Sequence, residues 1–182
     1  ANDQVSAEVD ACSGATLSIG AGESWDELVA TTIDRGWAGL ETLSGIPGTV
    51  GAAPIQNIGA YGHDVSEFIT RVRTYDRQSK ALKTFTNEQC RFTYRDSIFR
   101  QEPNRYVILE VQFQLRRGHI TTPIHYGELV TELGIQPGDR AEVKDTRAAV
   151  LRIRGRKGML LDSTDRDTYS AGSFFKNPIV SD

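Results

Sequence analysis

The sequence predicts an α+β fold, and three observations carry the prediction. Apolar and polar residues alternate from Tyr106 to Leu115, the mark of a strand with one covered face. Apolar residues recur at helical spacing in Trp25, Leu28, Val29 and Ile33, and a second helical stretch follows Pro137. Between the first helix and the strand lies Ser44-Gly-Ile-Pro-Gly-Thr-Val-Gly-Ala-Ala-Pro-Ile-Gln-Asn-Ile-Gly-Ala-Tyr-Gly62, which suits neither, because its glycines would weaken helix or strand alike.

Taken in order, Ala15 to Ala21 reads as a short strand leading into Gly22. Ser24-Trp-Asp-Glu27 has the spacing of a capping box, and the helix it opens stops at Gly36. After the glycine run, Ile69 to Tyr75 and Ala81 to Phe85 read as a hairpin around Asp76 and Lys80. In the strand from Tyr106, the residues Val107, Leu109, Val111, Phe113 and Leu115 form one apolar face, with Glu110, Gln112 and Gln114 opposite, so the sheet is expected to be covered on one side. Arg116-Arg-Gly-His119 breaks the pattern, and the boundary between two regions, 1–117 and 118–182, is placed here. Asp139 and Glu142 are expected to cap a helix running to Arg154 with Val143, Val150 and Leu151 inward. Gly155 and Gly158 bracket its end, and Arg152, Arg154, Arg156 and Lys157 crowd a last turn where cations complement the helix dipole.

Composition narrows the field without choosing within it. The 182 residues carry 21 basic and 24 acidic side chains, so no basic excess points to nucleic acid. No apolar stretch approaches the ~20 residues of a membrane helix, and the N-terminus lacks a signal-peptide pattern. Cys12 and Cys90 have neither metal-ligand spacing nor the density of a disulfide scaffold, which predicts reduced thiols and a cytoplasmic location.

The glycine run invites a phosphate-binding reading, since glycine lets backbone N–H groups approach an anion. It has no Gly-Lys-Ser/Thr ending, which excludes a Walker A loop, and its Gly45, Gly48, Gly51 spacing is not the dinucleotide fingerprint. Two further strings stand apart from it, Phe92-Thr-Tyr-Arg-Asp-Ser-Ile-Phe99 and Ala171-Gly-Ser-Phe-Phe-Lys-Asn-Pro178. Together, in this order, the three strings resemble the flavin-contacting loop, the Tyr-Arg-x-Ser segment and the Gly-Ser-Phe-Phe-x-Asn-Pro segment of the UDP-N-acetylenolpyruvoylglucosamine reductase family.

The resemblance implies a non-Rossmann FAD-binding fold of the vanillyl-alcohol-oxidase type, followed by the start of a substrate-binding domain. It implies FAD as cofactor, NADPH as hydride donor and UDP-N-acetylglucosamine enolpyruvate as substrate, in a monomer that binds neither nucleic acid nor membrane. Arg95 matches the family's arginine beside the substrate carboxylate, where a permanently charged, forked donor suits developing negative charge. Ser173 matches the serine that donates a proton to the adjacent carbon. Cofactor contacts fall on Ile46, Pro47, Gly48, Gly51, Ala52, Ala53, Ile55, Ile58, Gly59 and Tyr61, with Asn57 as a hydrogen-bonding side chain among them. Tyr126, Lys157 and Asn177 match positions contacting the substrate diphosphate or sugar.

The chain also departs from the family pattern. No Gly-Gly-Ser-Asn-type loop precedes Ala15, and the substrate domain with its terminal glutamate does not follow Pro178. The expectation is a fragment, with the residues up to Gly14 as a join, that alone binds flavin weakly and does not turn over. Competing readings are another FAD-linked oxidoreductase of the same broad fold, which has no reason to carry all three strings, and a non-catalytic nucleotide-binding module.

Overall fold

The computed structural model describes residues 5–10, 14–170 and 177. The chain opens with strands β1 (Val5–Asp10) and β2 (Gly14–Gly20), helix α1 (Trp25–Asp34) and the two-residue strand β3 (Trp37–Ala38). The glycine run leads through β4 (Gly59–Ala60) and β5 (His63–Asp64) to the hairpin of β6 (Ile69–Asp76) and β7 (Ala81–Thr86). Helix α2 (Ile98–Gln101), the long strand β8 (Tyr106–Arg117), α3 (Gly127–Leu133) and α4 (Val143–Arg156) complete it.

The main sheet is antiparallel in the order β1-β2-β8-β6-β7, with β3 added to the end of β8. Its inner face presents Leu17 and Ile19 of β2, Val72 of β6 and Val111, Phe113 and Leu115 of β8 to the buried stripe of α1. Trp25 of that stripe meets Phe113 at 6.2 Å between ring centroids and donates its indole N–H to the Leu43 carbonyl at 2.9 Å, so its polar edge is satisfied in the core. The outer face is a polar ladder, in which Thr16 donates to Gln114 at 2.7 Å and Gln112 to Ser18 at 3.3 Å. One covered face is what the alternation in the sequence implies.

Four sequence expectations need correction. Ser24 stands at the N-cap of α1 without a side-chain cap bond, because its backbone is drawn into a bridge with Thr49 of the glycine run. A capping box does form, at Asp64 and Glu67. The apolar face of β8 does not keep one parity. A bulge opposite the Arg73–Thr74 step leaves Leu109 without a partner on β6, so Leu109 is exposed while Tyr106 and Ile108 turn inward. Helix α4 begins at Val143 with Glu142 as its N-cap, and Asp139 instead accepts from the Gln136 N–H at 2.9 Å in the preceding turn. Leu151 is only half-buried, and the inward stripe is completed by Ala149, Ile153 and the aliphatic stem of a buried arginine, Arg154.

Beyond β8, a smaller apolar cluster joins Ile124, Leu129 and Val130 to Ala149, Val150 and Ile153, holding α3 against α4. Val143 belongs to the main core, and Tyr61 of the glycine run packs on the smaller cluster. The glycine run therefore lies where the two clusters meet.

Candidate active site

The glycine run is fastened at its start by a carboxylate. Asp26, in the first turn of α1, accepts the Gly45 N–H at 2.6 Å and a forked pair from Arg147 of α4 at 2.6 and 2.7 Å. Burial opposes ionisation of Asp26, but Arg147 and the Gly45 N–H outweigh it and hold the carboxyl below its ordinary range. Gly45 is in the left-handed region at φ 71°, and a Cβ there would meet Leu160, Leu151 and Arg154.

The middle of the run offers an anion cradle. Gly48 is exposed at φ 117°, a Cβ there would meet nothing within 4 Å, and its carbonyl accepts from Trp25 at 3.0 Å. Among the described residues the Gly48 and Thr49 N–H groups have no acceptor, so they fit a diphosphate lying against the loop. Gly51 and Ala53 are buried and their N–H groups bond to the Ala21 and Val50 carbonyls, while Ile46, Pro47, Ala52 and Ile55 keep accessible surface. Pro47 also walls a pocket of about 310 Å³ with Met159, Leu161, Thr168, Tyr169 and Ser170.

Further along, Thr93, Arg95 and Ser97 close on the run through four hydrogen bonds. The Asn57 amide, 2% exposed, donates to the Thr93 carbonyl at 3.1 Å and accepts from the Ser66 N–H at 3.0 Å. Ser97 donates to the Ile55 carbonyl at 2.6 Å. Arg95, half-buried, donates through Nη1 to the Asn57 carbonyl at 3.1 Å and through Nη2 to the Gly59 carbonyl, with Tyr94 beneath its guanidinium at 5.3 Å. These partners are 36 to 42 residues apart in sequence, which is why no local pattern announces them.

The end of the run meets the third group of predicted residues. Tyr61 and Tyr126 lie edge to face at 5.3 Å, with Tyr126 partly exposed at the N-cap of α3. Burial raises the Tyr61 phenol above its ordinary pKa. Lys157 is paired with Glu128 at 2.6 Å, which raises the lysine, so a diphosphate there must displace or join that ion pair. Of the basic cluster, Arg152 and Arg156 both pair with Glu132, as a solvated helix end would have it. Arg154 is different. It is 9% exposed, donates to the Met159 carbonyl at 3.0 Å and keeps its Nε unpaired among the described residues, beside Tyr61 and the glycine run. A basic residue on the inward spacing of α4 was the available signal for it.

The structure thus brings Arg95, Gly59, Tyr61, Tyr126 and Lys157 to one loop and its borders. Asn177 is exposed, and Ser173 lies outside the described residues, as does Cys12. Cys90 is buried and unoxidised, its thiol pushed up to about 12 by burial.

Comparison with known proteins supplies relatives for the chain as a whole. A family model described as an FAD binding domain matches residues 4–84. A UDP-N-acetylenolpyruvoylglucosamine reductase of Cutibacterium acnes is 51% identical over 181 residues, covering 100% of this chain and 48% of the relative. One of Streptomyces coelicolor is 50% identical over 170 residues, covering 93% and 44%. The crystal structure of UDP-N-acetylenolpyruvylglucosamine reductase from Thermus caldophilus superposes with a TM-score of 0.62 at 26% identity, over 88% of this chain and 48% of that one. The chain spans about half the length of the curated relatives it matches. With that fold, an FAD-binding match and half of all residues shared along its length, the chain belongs to the UDP-N-acetylenolpyruvoylglucosamine reductase family.

Proposed function

We propose that the full-length protein reduces UDP-N-acetylglucosamine enolpyruvate to UDP-N-acetylmuramate with NADPH and FAD, as a cytoplasmic monomer supplying peptidoglycan precursors. The observation that carries this reading is the closure of the Arg95 string on the glycine run, which sets a fixed cation at the edge of the cofactor loop. Among the described residues no helix is long and apolar enough to cross a membrane, and no cluster of acidic, histidine or cysteine side chains could hold a metal ion. The region from residue 118 onward is read as the beginning of the substrate-binding part.

FAD, when bound, supplies hydride transfer between NADPH and the enolpyruvyl double bond. The backbone from Ile46 to Ala53 would hold its diphosphate, the N–H groups of Gly48 and Thr49 foremost, with Ile55, Ile58, Gly59 and Tyr61 toward its ring. The double bond accepts hydride only if its carboxylate is polarised, because negative charge gathers there as the new C–H bond forms. Arg95 supplies that polarisation with the donors that Asn57 and Gly59 leave free. Ser173 gives a proton to the adjacent carbon. Tyr126, Lys157 and Asn177 hold the substrate diphosphate and sugar.

Two variants of the full-length protein test the assignment. Ser173→Ala is expected to leave flavin reduction by NADPH nearly intact while sharply slowing enolpyruvyl reduction. Equal loss in both halves would remove the proton-donor role. Arg95→Ala is expected to slow the second half most and weaken substrate binding less, and normal product formation would remove the carboxylate role. Ligand affinity with no flavin reduction at all would favour the non-catalytic module.

A further inference from the structure

Gly59 has no conformational need to be glycine. Its backbone lies outside the left-handed region, whereas Arg95 itself sits there at φ 56°, in a turn held by a bond from Arg100 to the Arg95 carbonyl at 2.6 Å. What Gly59 lacks is a side chain in a crowded place. A Cβ there would lie 2.6 Å from Arg95 Nη1, 2.8 Å from the His63 carbonyl oxygen and 2.9 Å from Asp64 Cβ. The guanidinium can reach the Asn57 and Gly59 carbonyls only because that volume is empty. Asn57, in turn, ties the run to Thr93, two residues before the arginine, so both sides of the contact are braced.

We propose that Gly59 is a positioning residue for substrate reduction: its missing side chain seats the Arg95 guanidinium on the loop, so the loop that meets the cofactor also aims the cation at the substrate carboxylate. The inference rests on the carboxylate role proposed above for Arg95. It assigns Gly59 a function that acts through another residue, beside its place in the cofactor loop. A shared seat of this kind makes the direction of the Arg95 fork a property of the loop, and a cation carried on a different stem cannot inherit it.

The test is a double-variant cycle in the full-length protein with FAD bound, comparing Gly59→Ala, Arg95→Ala and both together. Arg95→Ala is expected to slow enolpyruvyl reduction by ~10²–10³-fold, as loss of a charge-stabilising donor does, and Gly59→Ala by roughly tenfold or more through misplacement of the same group. Adding Gly59→Ala to Arg95→Ala should change that rate by less than about twofold, because residues acting as a unit are not additive. Because Gly59 also lies toward the flavin ring, flavin reduction by NADPH is measured in every variant and each enolpyruvyl rate is compared after division by it. Melting of the cofactor-free protein gives a readout independent of turnover: the fall caused by Gly59→Ala should shrink when Arg95 is already alanine. Additive effects on both readouts overturn the inference and leave the Arg95 role standing, whereas a silent Arg95→Ala brings down both. Should Gly59→Ala fail to fold, Arg95→Lys decides, since it keeps the charge but loses the fork. A loss close to that of Arg95→Ala supports the seat, and a rate within about twofold of the unaltered protein overturns it.

Discussion

Ser97 shows how a residue assigned to a motif can work for the scaffold. Fully buried, it donates to the Ile55 carbonyl at 2.6 Å and accepts from the Phe99 N–H at 3.2 Å, so it caps α2 and holds the glycine run with one oxygen. Ser97→Ala strands the Ile55 carbonyl and removes the cap, and is expected to cost about 1–2 kcal/mol, measured by urea denaturation. Asp76 carries a pH prediction. Hydrogen bonding from Arg105, opposed by burial and helped by the Gln78 and Ser79 N–H groups, holds its carboxyl at about 2. A lowered carboxylate stabilises the fold above its unfolded pKa of about 3.9 and ceases to do so as pH falls through the folded value. Stability is therefore expected to decline between pH ~4 and ~2, and Asp76→Asn should flatten that limb in denaturation series at several pH values. As a candidate, Arg95 was legible in the sequence from its string. Its seat was not, because both acceptors are backbone carbonyls, which no residue type advertises.

Among elements, the glycine run was visible as irregular backbone, but the uses of its glycines differ. Gly48 opens toward solvent, whereas Gly51 is pressed on the turn after β2, where a Cβ would lie 2.6 Å from Ala21 Cβ and 3.0 Å from the Ala21 carbonyl oxygen. Gly51→Ala forces the run away from that turn and is expected to destabilise by roughly 1–3 kcal/mol, as overpacking does, with a lower melting temperature as the readout. Gly48→Ala meets no neighbour but must hold φ 117°, so its penalty is conformational. Composition cannot separate the two cases, since it lists glycines without their neighbours. Strand and helix periods were legible wherever one face packs on the core, as in α1 and the hairpin. They misled at β8, where a bulge changes parity, and at α4, where Pro137-Gly-Asp139 made a turn closed by Asp139 rather than a helix start.

Across the whole molecule, the ion pair between Asp26 and Arg147 joins parts 121 residues apart and adds the Gly45 N–H to the same carboxylate. It links α1, the glycine run and α4, which otherwise belong to different apolar clusters for much of their length. Arg147→Met is expected to cost about 1 kcal/mol, since the partly exposed Asp26 is screened by solvent. It should also weaken FAD binding in the full-length protein, seen in a flavin titration followed by absorbance. Unchanged flavin affinity would confine the pair to stability. The α+β class and the one-sided sheet were legible because they depend on averages over many residues. The convergence of Arg95, Tyr126 and Lys157 on one loop was not, because it depends on which segments the chain folds together.

The bulge at Leu109 has a consequence for how this chain can change length. A strand that reverses parity midway behaves like a reading frame with one extra letter: without Leu109, Tyr106, Ile108, Val111, Phe113 and Leu115 would alternate regularly on one inward face, whereas losing Gln112 would put Phe113 and Leu115 out of phase with the rest. Tyr106, Ile108 and Val111, or else Phe113 and Leu115, would then trade the core for water. The turn from Arg77 to Lys80 is under no such rule, because residues added there lengthen a connection and leave both strands in phase. Length changes should survive in that turn and as loss of Leu109, and be rejected between residues 111 and 115, so the sheet forgives a miscount only at its turn and its bulge.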